Sequence, residues 1–165
     1  MRQHVAPTGR PDATVSEQGN RRIDRISRSD YVESLGSLSL EDLRERRDEC
    51  LAEREYLSLL RRLVQGRAEI LSGETQGPSR GEAVRVNIPE EEMLLARRRV
   101  ERLVSDTGIS DPGALPDDRL AAAVELLAEE ERVVSDARNT VLGALDVLQD
   151  ELKRRYKDDP SLVLT

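Results

Sequence analysis

Two sets of polar side chains in this sequence share one spacing. The first is Arg54, Ser58, Arg61, Gln65 and Glu69; the second is Glu131, Ser135, Arg138, Leu142 and Asp146. Both advance by four, three, four and four residues. On a helix of about 100° per residue these steps hold each set on one face. Such a face offers guanidiniums, hydroxyls and carboxylates together. It can form interhelical ion pairs, stand solvated, or bind a ligand. If the two helices pair antiparallel, the sets face each other about a pseudo-dyad, and a ligand between them should be close to two-fold symmetric.

No other grouping suggests chemistry. His4 is the lone histidine and Cys50 the lone cysteine, so neither a zinc site nor a disulfide framework can be built. There is no phosphate loop of the GxxxxGK type, no nucleophile elbow and no metal-ligand spacing. The reading is therefore of a binding protein with no enzymatic activity and no metal.

The elements that position the two sets are long and helical. Leu40, Leu43, Arg47, Cys50, Arg54, Leu57, Arg61, Val64, Ala68 and Leu71 follow alternating steps of three and four. So do Leu120, Val124, Leu127, Glu131, Val134, Arg138, Val141, Leu145, Leu148 and Leu152. This is the seam pattern of a coiled coil. The seams superpose, with Leu57 on Val134 and Val64 on Val141, and both become charged at Arg54/Glu131 and Arg61/Arg138. A charge on a packed seam is costly unless something pairs with it.

Composition agrees. Phe and Trp are absent and Tyr numbers 3, so aromatic area cannot supply a large core. Charged residues make up 36%, which suits narrow helical seams. The net charge of -7 argues against direct contact with DNA or RNA and is compatible with a basic protein partner. Met1–Asn20 contains no apolar run, and no stretch is long enough to span a bilayer, so a cytoplasmic protein is expected.

Five regions are expected. Residues 1–28 are polar and read as a disordered tail, of which Arg21–Arg28 could be helical on binding, with Ile23 and Ile26 as its apolar anchors. Residues 29–72 should hold a short helix, capped by Ser29 and ended by Gly36, and then the first long helix, with Ser39 as its N-cap. Residues 73–115 read as a linker around a helix that starts at Pro89, with Met93, Leu94, Val100, Leu103 and Val104 as its apolar side and Arg97, Arg98 and Arg99 as a solvated face. Residues 116–158 form the second long helix, and 159–165 a short tail. The fold class is all-α: an antiparallel coiled-coil hairpin with two shorter helices. A second apolar stripe, Tyr56, Leu59, Leu60, Leu63 and Ile70, lies beside the first seam. Either the middle segment covers it or a partner does.

The segments Arg21–Leu71 and Leu115–Tyr156 resemble the RsiG family of actinobacterial anti-sigma factors. The family signature is Glu-x3-Ser-x2-Arg-x3-Gln-x3-Asp, once on each helix of an antiparallel coiled coil. The run YLSLLRRLVQGRAEIL from Tyr56 is especially similar, as is LQDELKRRYKD in the last helix. The resemblance implies that Ser58, Arg61, Gln65, Glu69, Glu131, Ser135, Arg138 and Asp146 bind cyclic di-GMP, as two intercalated molecules. Arg54 stands where the signature has Glu, and Leu142 where it has Gln. The resemblance also implies that the liganded protein holds a sporulation sigma factor of the WhiG type inactive; Tyr56, Leu60 and Leu63 of the second stripe read as the surface that would take such a partner. The rival reading is a coiled-coil scaffold that binds a protein and no nucleotide.

Overall fold

The computed structural model describes residues 21–73, 88–106 and 117–164, and within them every regular element is helical. Four α-helices follow in order: α1 (Arg22–Ile26), α2 (Leu40–Ser72), α3 (Glu90–Asp106) and α4 (Asp117–Asp158). Short 3-10 turns lie at Ser29–Val32, Leu35–Ser37 and Pro160–Leu164. The tail at residues 1–20, most of the linker and the loop before α4 fall outside the described residues.

Helix α2 begins where the side chains can satisfy its free amides. Ser39 Oγ accepts from the Asp42 amide at 3.0 Å, and Glu41 and Asp42 stand in the first turn against the positive end of the helix dipole. It ends at Gly73, whose φ of 70° needs a residue without Cβ strain. Its main packing partner is α4, and the two run antiparallel, since Ser58 meets Arg138 while Gln65 meets Glu131. The expected hairpin is present.

The buried rows are wider than a two-stranded seam. Leu43, Cys50, Leu57, Val64 and Leu71 are buried in α2, one per heptad, and Leu127, Val134, Val141 and Leu148 in α4. These form the centre of the interface. Arg47, Arg54, Arg61 and Ala68, expected to share that seam, are only half-buried. Glu53 and Leu60, on the opposite flank, are buried instead. The reason is α3, which packs on α2 through Ala96, Val100 and Val104 and makes the hairpin three helices thick along part of its length. Arg67 reaches Glu101 at 3.8 Å, and Arg99 pairs with Glu130 of α4. On α3 the apolar side expected to include Leu94 instead contains Ala96; Leu94 is exposed. Arg97 and Arg98 are exposed as expected, while Arg99 is half-buried by its ion pair.

The N-terminal boundary also moves. Residues 21–28 were expected in the tail, but Arg22–Ile26 is helical and Ile26 is buried. Five residues do not make a stable helix alone. Arg22 provides the tertiary hold: its Nε donates to Glu53 Oε2 at 2.8 Å, and its two terminal nitrogens donate to the Glu92 carboxylate at 2.8 and 2.9 Å. One guanidinium thus joins α1, α2 and α3. Burial holds the Glu53 carboxyl above the usual carboxylate range despite the Arg22 contact.

The next segment is two 3-10 turns rather than a helix from Ser29 to Gly36, and the left-handed residue in it is Ser34, with φ 53°. Tyr31 and Leu35 are buried, so this piece docks on the hairpin. The Tyr31 hydroxyl donates to Glu49 Oε2 at 2.8 Å, and Arg46 stacks over its ring at 5.1 Å. From α4, Arg155 donates to the Leu35 carbonyl at 2.8 Å. At the far end, Arg44 reaches the Tyr156 hydroxyl at 3.1 Å and the Leu162 carbonyl at 2.6 Å.

Cys50 has the expected place, fully buried on the α2 seam. Burial pushes its thiol up to about 11, so the reactive thiolate is scarce at neutral pH. A maleimide added to the native protein at pH 7 is expected to leave Cys50 unmodified and to label it once the chain is denatured; intact-mass measurement before and after denaturation checks this.

Candidate ligand site between the long helices

The two polar sets lie along one edge of the α2–α4 interface. The flanking row of each long helix, beside the central buried rows, reaches that edge. Arg54, Ser58, Arg61 and Gln65 of α2 are half-buried there, as are Glu131, Ser135, Arg138 and Leu142 of α4. Glu69 and Asp146, the last member of each set, are exposed.

Two hydrogen bonds cross the interface within these sets. Arg138 Nε donates to Ser58 Oγ at 3.0 Å, and Gln65 Nε2 donates to Glu131 Oε1 at 2.6 Å. The contacts are seven residues apart on each helix, so they belong to one antiparallel register. That register, taken at the half-heptad steps between and beyond them, sets Arg61 opposite Ser135 and Arg54 opposite Leu142. The pseudo-dyad expected from the spacing therefore relates Ser58 to Ser135 and Arg61 to Arg138.

Arg61 is the least satisfied member. Its Nε lies 3.7 Å from Glu131 Oε1, inside ion-pair reach but too long for a hydrogen bond, and that nitrogen is buried without a hydrogen-bond acceptor among the described residues. A buried N–H donor without an acceptor is unfavourable. The side chain as a whole is 41% exposed, so a ligand would meet its terminal nitrogens rather than that buried one. The donor set thus fits an anionic, heteroaromatic molecule: two arginines for phosphate oxygens or acceptor edges, a carboxylate for N–H donors, and hydroxyls for either.

Not every residue near the sets takes part. Glu53, close in sequence to the unexpected Arg54, is turned away into the Arg22 clamp. Glu55 pairs with Arg54 itself at 2.9 Å. Neither supplies the carboxylate that Arg54 displaces.

The stripe, expected to be covered by the middle segment or by a partner, is largely covered, on the side where α3 of the middle segment packs. Leu60 is fully buried, and Tyr56, Leu59 and Leu63 are half-buried against the core. Only Ile70 stays exposed. Leu60 is therefore not a surface residue, because the α3 side of α2 is occupied. Reading the sequence overlooked the Arg22–Glu53–Glu92 clamp. The signal was present: Glu53 stands one heptad before Leu60, so whatever covers Leu60 must also deal with a carboxylate.

A family model described as RsiG-like matches residues 29–94. The match covers the 3-10 segment, all of α2 with the first polar set, and the start of α3. It supports membership in the RsiG-like family and suggests an anti-sigma role, with a sigma factor as the kind of partner. The second polar set, on α4, lies beyond the matched residues. No curated protein and no solved structure matches the chain. No helix among the described residues is long and apolar enough to cross a membrane.

Proposed function

We propose that this chain, a member of the RsiG-like family by its residues 29–94, is an anti-sigma factor that binds cyclic di-GMP between α2 and α4 and, when liganded, sequesters a sporulation sigma factor of the WhiG type. The observation that carries the reading is the antiparallel juxtaposition of the two polar sets, joined by Ser58 with Arg138 and Gln65 with Glu131. A two-fold symmetric dinucleotide suits a site with that pseudo-symmetry.

Each residue has a chemical task in this reading. Arg61 and Arg138 donate to guanine O6 and N7 or to phosphate oxygens. Glu131 accepts from guanine N1–H and the amino group, with Gln65 holding the carboxylate in place. Ser58 and Ser135 supply hydroxyls that donate or accept. Glu69 and Asp146, at the exposed ends of the sets, accept from ribose hydroxyls. Ligand binding gives the guanidiniums of Arg61 and Arg138, one on each helix, an anionic partner.

Calorimetric titration with cyclic di-GMP, with and without a WhiG-type sigma factor, tests this function. The expected result is saturable nucleotide binding and sigma capture that depends on the nucleotide. Sigma capture of equal strength with and without nucleotide, and no heat of nucleotide binding, would instead support a nucleotide-independent scaffold.

A further inference from the structure

The two polar sets differ from each other at the first position, Arg54 against Glu131, and at the fourth, Gln65 against Leu142. At the other three they agree in kind. In an antiparallel pair, the first position of one set lies opposite the fourth of the other. Two differences in sequence therefore become two unlike ends in space. At one end Gln65 and Glu131 are hydrogen-bonded at 2.6 Å, and Arg61 stands 3.7 Å from the same carboxylate oxygen. At the other end the register places Arg54 opposite Leu142, and Arg54 turns to Glu55 on its own helix at 2.9 Å.

The ends have opposite chemistry. The Glu131 end presents a half-buried carboxylate that accepts hydrogen bonds. The Arg54 end has an aliphatic side chain and a guanidinium, which only donates. Between them, Arg61 and Arg138 are related by the pseudo-dyad, so they treat the two halves of a ligand alike and cannot produce a difference.

We propose that the site distinguishes guanine from adenine unequally at its two ends, with the Watson–Crick edge of only one base read, by Glu131 supported by Gln65. This rests on the nucleotide reading above. Guanine offers N1–H and an amino group to a carboxylate; adenine has neither at those positions. At the Arg54 end the Glu55 carboxylate is held by Arg54 and Asp146 lies exposed one turn beyond Leu142, so neither receives that edge, and Leu142 packs against either purine. Of the bases of two intercalated molecules only the one at Glu131 is read, so a cyclic dinucleotide with one guanine and one adenine binds with a guanine there.

The test compares cyclic di-GMP, the mixed cyclic guanine–adenine dinucleotide and cyclic di-AMP on the full chain with its sigma factor, by calorimetry or by competition. Exchanging the first guanine is expected to cost little, and exchanging the second to cost more by about tenfold or more, the scale of one specific base contact. Glu131→Gln should make the two steps equal, and the double change Arg54→Glu with Leu142→Gln should also make them equal by rebuilding the second end. Equal steps in the unaltered protein would overturn the proposal while leaving cyclic di-GMP as the ligand. Binding of none of the three ligands would overturn the nucleotide reading, and this proposal with it.

Discussion

Arg138→Ala is expected to weaken cyclic di-GMP binding by about tenfold or more. Arg138 is half-buried in the middle of its polar set, and its Nε is already directed across the interface to Ser58 Oγ at 3.0 Å. A charged bidentate contact to a base edge is worth about 1–3 kcal/mol, and 1.4 kcal/mol is a factor of about ten. Arg61→Ala should lose binding to a similar degree. The two should differ without ligand. Removing Arg138 loses one cross-helix hydrogen bond, a net change of about 1 kcal/mol. Removing Arg61 eliminates a buried donor that has no acceptor, so the apoprotein should melt no lower than the unaltered chain. Thermal melts of both variants, with and without cyclic di-GMP, measure these effects together. If both arginines served only as interhelical ties, both variants would melt lower and the ligand would shift neither the variants nor the parent.

Leu60→Asp is expected to destabilise the bundle severely. Leu60 is fully buried on the flank of α2 that faces α3. Truncating a buried Leu costs about 2–5 kcal/mol, and an ionised carboxylate adds the cost of desolvation. The nearby Glu53 needs Arg22 to be held in that layer, and Arg67, one heptad beyond Leu60, is already drawn to Glu101 at 3.8 Å. Against a total stability of about 5–15 kcal/mol, this loss should lower the melting temperature by about 10 °C or more. Leu63→Asp, at a half-buried site, should cost clearly less. Circular dichroism melts of the two variants decide the matter. If Leu60→Asp melted like the parent and only lost the sigma factor, α3 would have to leave α2 on partner binding, and the stripe would be a partner surface after all.

Much of the candidate site was legible because helical periodicity is a local property. The matching steps from Arg54 to Glu69 and from Glu131 to Asp146 place each set on one face whatever surrounds the helices. The cap at Ser39 and the stop at Gly73 follow from side-chain and backbone chemistry within a few residues. The short segments were less legible. Arg22–Ile26 reads as helical only on binding, and what holds it is Glu53 and Glu92, which lie far along the chain. Ser34 takes the left-handed conformation although Gly36 is available nearby, because the turns are shaped by docking of Tyr31 and Leu35 rather than by the cheapest backbone.

By itself the sequence determined two long helices, their central buried rows and the faces that carry the polar sets, since all of these depend on spacing along one chain. Which flank of each row is covered was decided by the tertiary structure. A heptad pattern with apolar residues on both sides of Leu57 allows either Arg54 and Arg61 or Glu53 and Leu60 to be buried. Helix α3 selects the second pair, and this leaves the arginines at the open edge. Register was likewise decided in three dimensions: only the antiparallel docking of α4 brings Gln65 to Glu131 and Arg54 to Leu142, so that differences scattered along the chain become two chemically distinct ends of one groove.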